Sequence, residues 1–347
     1  MIAIVAHLTR ARCLLVSMLF VSLALIAILY KPATTFNTTN PRPVISAYMP
    51  KERAAGAEAA IPVHVGMYIM NFPIFDILTN NFVADIMLWF EFDPSLLPLE
   101  TVQKFSFDRG TIISKSEPDM KIIKDKLFVQ YQVRLQFTSP LDHKLFPLND
   151  HRLYIVLENT YVTPEELFFT SSRTSFLIAP GASTADWNII DQSAQPGYIS
   201  AELDSSDPHK VKRFPAVVFS LDLQKQGIRK IFIIMLPMLL LFFISLFVLS
   251  LNPAVHARSI LTLTTGTLTG LIAYRFVIEK IVPDVGYFTL ADNFFNLFLA
   301  VIFILFLMGL YAVNLGKNTA PLLLFKGLVL IAVQLVLVVC FYFLVHQ

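Results

Sequence analysis

From Arg258 to Lys280 the chain sets hydroxylated and small residues at helical spacing. Thr262, Thr265, Gly266, Thr269, Ala273, Phe276 and Lys280 share one flank when the segment is wound at about 100° per residue, with Arg258 at its start. Such a stripe on a membrane-length helix either lets another helix approach closely or turns its hydroxyls toward water. Both stay open from the residues alone. The second demands an oligomer, most simply a closed ring, because one helix cannot enclose a lumen. Thr264 and Thr267 lie on the other side, where a threonine hydroxyl can bond its own helix backbone. Arg275 and Glu279, four apart and off the stripe, read as a local ion pair. Asp142-His143 and Asp150-His151 offer carboxylate and imidazole ligands eight residues apart, but no third ligand cluster completes a metal site. No Gly-x-Ser-x-Gly, His-Glu-x-x-His or phosphate loop occurs, so neither an enzyme nor a cofactor is expected.

Several apolar segments must position these residues. Ile231–Leu251, Asn293–Gly316 and Gly327–Val345 are uncharged, and each suffices for the roughly 20 residues that cross ~30 Å of hydrocarbon. The striped segment, Ser259 to about Val282, is the second of the four in chain order. Cys13–Tyr30 forms an earlier apolar stretch behind Arg10 and Arg12, which hold the N-terminus in the cytoplasm. It exceeds the core of a usual signal peptide and lacks a clean small-x-small cleavage site. An uncleaved anchor and a removed signal both remain open. In either case the intervening domain is exported, the four later spans return the C-terminus to the outside, and Arg258 and Lys317 fall in short cytoplasmic turns.

Composition agrees with a multi-pass protein of the cell membrane. The chain is 55% hydrophobic and 15% charged, and most of the charge lies between Lys31 and Lys230. A net charge of +2 without a basic run leaves no electrostatic footprint for nucleic acid. The two cysteines, Cys13 and Cys340, sit in apolar segments and exclude a disulfide framework in the polar region.

Within that region, 31–60 is rich in Pro, Asn, Thr and Ala and reads as a linker. Val63–Ile69, Phe82–Phe92, Lys126–Phe137, Arg152–Glu158 and Val211–Leu223 combine β-branched or aromatic residues with partial alternation. The expected fold is mixed: a signal or anchor over 1–30, the linker, an extracytoplasmic antiparallel β-sandwich over 61–228, and a four-helix transmembrane domain over 229–347.

Between two of those strands runs Ser139-Pro140-Leu141-Asp142-His143-Lys144-Leu145-Phe146-Pro147-Leu148-Asn149-Asp150-His151-Arg152-Leu153. It resembles the signature loop of the pentameric ligand-gated ion channels, the Cys-loop receptor superfamily, with Ser139 and Leu153 where the closing cysteines would stand. Loss of that bridge points to the prokaryotic branch. Asn149 replaces the usual Asp, with Asp150 after it. The runs Val63–Ile69, Asn80–Asp85 and Leu88–Asp93 resemble the family's first two strands. Pro237 in the first span, Glu279–Pro283 with Tyr287–Asp292, and the short turn Leu315–Ala320 also fall in the family's order.

The resemblance implies a homopentamer with an exported ligand-binding sandwich and a pore lined by the second of the four helices, about 258–282. The pore-lining residues would be Arg258, Thr262, Thr265, Gly266, Thr269, Ala273, Phe276 and Lys280. Coupling would run through the loop Asp76–Asn81, Phe146, Pro147, Asn149, Asp150 and Pro283, with Lys225 or Arg229 as basic partner. A small-molecule agonist would bind between neighbouring sandwiches, drawing on Phe105, Phe107, Asn159, Thr160, Tyr161 and Tyr198, the last in a loop from Gln192 to Lys212. Aromatic faces suit a cationic amine, and Asp204 and Asp207 would attract one. With 31 Phe, most aromatics must nevertheless be core, as Trp89 and Trp187 also read. Basic residues at both ends of the stripe lean toward anions, although Arg258 can instead snorkel to headgroups and Glu279 offsets Lys280. The competing reading is a non-conducting receptor or adaptor of the same architecture.

Overall fold

The structure is a computed structural model that describes residues 2–48, 60–182, 184, 187–204, 206–207, 210–315 and 320–346, without side chains for 2–11 and 320–324. The chain forms two compact units, one of Thr38–Asp142 with Asp150–Gln226, the other of Met1–Asn37, His143–Asn149 and Gly227–Gln347.

The first unit holds eleven described strands: β1 (Ile61–Asp76), β2 (Asn81–Phe92), β3 (Ser106–Asp108), β4 (Gly110–Lys115), β5 (Asp119–Ile123), β6 (Lys126–Phe137), β7 (His151–Glu158), β8 (Leu167–Thr170), β9 (Phe176–Ile178), β10 (Trp187–Glu202) and β11 (Val211–Lys225). One sheet runs β4-β6-β2-β1-β8, with β5 also on β6 and β9 also on β1; the other runs β10-β11-β7-β3. Alternation turns one face of strands such as β2 and β6 inward, and Val65, Phe90 and Tyr131 of the larger sheet share a core with Leu153, Leu157 and Phe219 of the smaller. Two sheets on one core are compatible with a β-sandwich. Gly66 is required where Trp89 crosses the backbone, since a Cβ there would lie 2.1 Å from the indole. Trp89 and Trp187 themselves are half-buried.

Three expectations need correction. The larger sheet is not wholly antiparallel: β8 and β9 pair with β1 in parallel, as short strands reached by long crossovers can. The expected loop from Gln192 is strand through Glu202, because β10 continues through Pro196 and Gly197 against β11. Its outer position in the sheet tolerates the missing proline N–H. The 31–60 segment is no free linker at its start either. A helix continues to Thr34, Asn40 is buried, and Ser46 bridges to Tyr198. Residues 49–59 lie outside the described residues.

The second unit comprises α1 (Ile2–Thr34), α3 (Arg229–Phe247), α4 (Pro253–Glu279), α5 (Leu290–Leu315) and α6 (Ala320–Val345); α2 (Leu99–Val102) is a single turn in the first unit. Among the described residues five helices, α1 included, are long and apolar enough to cross a membrane. Chain punctuation matches the helix ends. An asparagine caps the start of α4, where Asn252 Oδ1 accepts from Ala254 N at 3.1 Å with Pro253 at the first helical position. Lys326 of α6 donates to Leu251 O at 2.9 Å, satisfying a carbonyl beyond the end of α3.

Candidate functional site

The stripe and the packing face of α4 separate cleanly. Thr264, Thr267, Ile260, Leu271 and Ile278 are buried, whereas Arg258, Thr262, Thr265, Gly266, Thr269, Ala273, Phe276 and Lys280 are all exposed in the single chain. Phe276 is 68% exposed. The buried hydroxyls behave as helix geometry requires: Thr264 Oγ1 donates to Ile260 O and Thr267 Oγ1 to Leu263 O, both at 2.9 Å. Ser245 Oγ of α3 donates to Thr267 Oγ1 at 2.9 Å, and a Cβ on Gly309 of α5 would approach Thr264 Cγ2 to 2.9 Å. Close packing through small residues thus belongs to the back of α4. The stripe is its front.

Two polar contacts fix that orientation. Pro237 has no N–H for the carbonyl four residues earlier, and Tyr274 Oη of α4 donates to that Ile233 O at 2.5 Å. Arg275 makes the local bond to Glu279 Oε1 at 3.2 Å and reaches further, with Nη1 to Asp292 Oδ1 at 2.5 Å. Asp292 also closes the start of α5: its Oδ2 accepts from Thr289 N at 2.9 Å and from Thr289 Oγ1 at 2.8 Å. A cavity of about 580 Å³ lies beside this pair, lined by Glu279, Val282, Pro283, Tyr287 and Phe288 among others.

The signature loop is built in two parts. Its body, His143–Asn149, joins the helical unit: Leu290 N donates to Lys144 O at 2.7 Å, Ala291 N to Phe146 O at 3.0 Å, and His143 N to Tyr287 Oη at 2.9 Å. Phe146 and Leu148 enter the helical core, and Pro147 and Asn149 are buried. Pro283 is buried too, while Arg229 is exposed. Asp150 belongs to the β unit and is fully buried. Its Oδ1 accepts from Lys225 N at 3.0 Å, with Lys225 Nζ at 3.5 Å. Burial pulls the Lys225 ammonium below the ordinary lysine value, opposed by the Asp150 charge.

Closure of the loop draws on Ser139 and Asn80, which the resemblance places there, and on Asn40, which the sequence does not single out. Ser139 Oγ accepts from Tyr154 N at 3.0 Å, and Asn80 Oδ1 of the loop after β1 accepts from Ser139 N at 3.0 Å. Asn40 works on both stems at once: its Oδ1 accepts from Asp142 N at 3.1 Å and lies 3.3 Å from His151 Nδ1, while its Nδ2 donates to Arg152 O at 3.0 Å. Beside it Arg152 forms a two-pronged pair with Asp222, which raises the guanidinium pKa chiefly through the hydrogen bond. Asn40→Ala strips three partners from a buried site. It should lower the stability of the β unit by roughly 2–3 kcal/mol, read as a fall in thermal midpoint in detergent, while the conservative Asn40→Asp retains part of it.

The candidate ligand residues are only partly assembled. Phe105 and Phe107 lie in the hydrophobic core, as an abundance of Phe favours. Asn159 is buried, donating to Thr101 O at 2.8 Å and accepting from Tyr161 N at 3.1 Å. Its N–H meets Pro215 O, and Pro215 is the register partner of Tyr198, so Asn159, Thr160, Tyr161 and Tyr198 share one end of the smaller sheet. Cations of the chain already face several rings: Lys115 Nζ lies 4.2 Å from Phe105, Lys104 Nζ 5.2 Å from Tyr161, and the Arg213 guanidinium 5.7 Å from Tyr198. Asp204 and Asp207 pair with Lys210, which holds the Asp204 carboxyl down at about 2. These carboxylates are committed to a neighbour. Among the described residues no three His, Cys, Asp or Glu side chains converge on a metal position.

In comparisons with known proteins, the chain matches no family model and no curated protein.

Proposed function

We propose that this chain is the subunit of a homopentameric ligand-gated ion channel, with a β-sandwich that receives a small-molecule agonist and a pore lined by the exposed face of α4. The observation that carries the reading is the division of α4 into a packed back and an exposed front bearing Thr262, Thr265, Gly266, Thr269 and Lys280. Threonine hydroxyls can bond their own backbone, as Thr265 Oγ1 does to Leu261 O at 2.7 Å, but Arg258 and Lys280 at the ends of the face need water or headgroups. Closing a ring of copies supplies that water along one axis. The adaptor alternative predicts the same assembly without current.

The loop body that bonds Leu290 and Ala291 continues covalently into Asp150 and its Lys225 pair, which supports a coupling role for this loop. Phe276 and Ala273 lie toward the Lys280 end of the face, where a ring of aromatic side chains sheds water more readily than the hydroxyl ring of Thr269. Native mass spectrometry in mild detergent should show five subunits. In planar bilayers Phe276→Ser should raise resting conductance about tenfold, Thr269→Ser should change it little, and the reversal potential should follow chloride. A monomer or dimer overturns the pore. Equal effects at the two positions overturn the placement of the gate.

A further inference from the structure

We infer that α1 is a permanent fifth membrane helix of the mature subunit, docked on α6, and not a removable export signal. Packing alone carries this, apart from the channel reading. Over Arg12–Thr34, 23 residues of helix are enough to span the hydrocarbon, and the helix is two-faced. Leu14, Val21 and Leu25, at spacings of seven and four, are buried, and Val21 and Leu25 join the same core as the α3 and α5 side chains. Leu15, Leu19, Phe20, Leu23 and Ile26 are exposed on the other side. A cleaved signal has no need for one face that matches the mature bundle.

Gln334 supplies the stronger argument. It sits in mid-helix in α6 among Val333, Leu335 and Val336, and it is 7% exposed. Its Nε2 donates to Ser17 Oγ of α1 at 3.0 Å, while Ser17 Oγ donates onward to Leu14 O at 2.8 Å. An amide at membrane depth without a partner is costly, because hydrocarbon offers no hydrogen bond. Removing α1 would turn this side chain toward lipid. Retaining it satisfies the amide and leaves α6 with only its apolar side outward, where Ile331 and Leu335 are exposed.

The full chain, purified from membranes, should have an intact mass that includes α1; a chain that starts beyond about residue 34 overturns the inference. In a background with Cys13 and Cys340 replaced by Ser, the pair Ser17→Cys with Gln334→Cys should form an intramolecular disulfide on iodine oxidation. Ser17→Cys with Leu335→Cys should not. Equal yields for the two pairs, or none for the first, mean that α1 is not seated on α6. Exchanging residues 1–34 for a cleavable signal should lower the thermal midpoint by roughly 5 °C or more, and adding Gln334→Leu should restore part of it. An unchanged midpoint, or no recovery with Gln334→Leu, overturns the docking; should the exchanged chain not accumulate, the cysteine pairs decide.

Discussion

Replacing Asp150 with Ala will destabilise the β unit by about 3–5 kcal/mol, the usual cost of removing one partner from a buried ion pair. Asp150 is fully buried and the Lys225 side chain is only 12% exposed, so no water replaces the lost carboxylate. The variant strips both the Nζ partner and the acceptor of the Lys225 backbone N–H, which is partly buried. Lys225→Met removes the cation facing the buried carboxylate and should cost about as much, whereas Asp150→Leu with Lys225→Met should recover most of the loss, since apolar replacement of a buried pair is often neutral. Thermal midpoints of wild type, Asp150→Leu, Lys225→Met and the double variant in one detergent give the coupling energy. Additive losses would mean that the pair does not act as a unit.

The same pair sets a pH dependence. Lys225 has a folded pKa below its unfolded value, so between the two the unfolded chain binds more protons. Its stabilising contribution is fully present above the ordinary lysine value and is lost as pH falls through the depressed one. Removing Asp150 depresses the folded value further, because the attraction that opposed burial is gone. Asp150→Ala should therefore recover more stability than wild type when pH is raised toward the lysine range.

Helical periodicity makes the front and back of α4 legible, because a membrane-length helix must assign each polar side chain either to a neighbour or to water. Strands with clean alternation, such as β2 and β6, are equally plain. β10 is not: Pro196, Gly197 and Ser200 read as turn residues, and only pairing with β11 shows that an outer strand can hold them. Asn40 carries no local signal at all. Its three contacts lie 102 to 112 residues away, in a stretch whose composition suggests only a linker. Phe105 and Phe107 show the opposite limit, since a core aromatic and a ligand-binding one have the same side chain and only burial tells them apart. Arg275 falls between: its i,i+4 partner is visible, but the stronger one, Asp292, lies beyond a loop. There Thr289 and Asp292 cap the start of α5 reciprocally, a pairing that becomes plain only once the helix end is placed.

That second partner fixes a ranking among three substitutions. Glu279 is 53% exposed and four residues from Arg275 on the same helix, a geometry worth about 0.3–0.5 kcal/mol, so Glu279→Gln should leave the thermal midpoint nearly unchanged. Arg275→Met removes the cation from an Asp292 side chain only 8% exposed, and should cost about 3 kcal/mol. Asp292→Ala should cost most, roughly 4–5 kcal/mol, because it leaves Arg275 with its weak partner and also removes the carboxylate that accepts from Thr289 N and Oγ1. Asp292→Asn separates the two roles, since an amide oxygen can still accept from Thr289 N but carries no charge for Arg275. It should fall between the other two. If Glu279→Gln proves as damaging as Asp292→Ala, Arg275 is anchored within its own helix, and the tie from α4 to the start of α5 contributes nothing to holding the polar face outward.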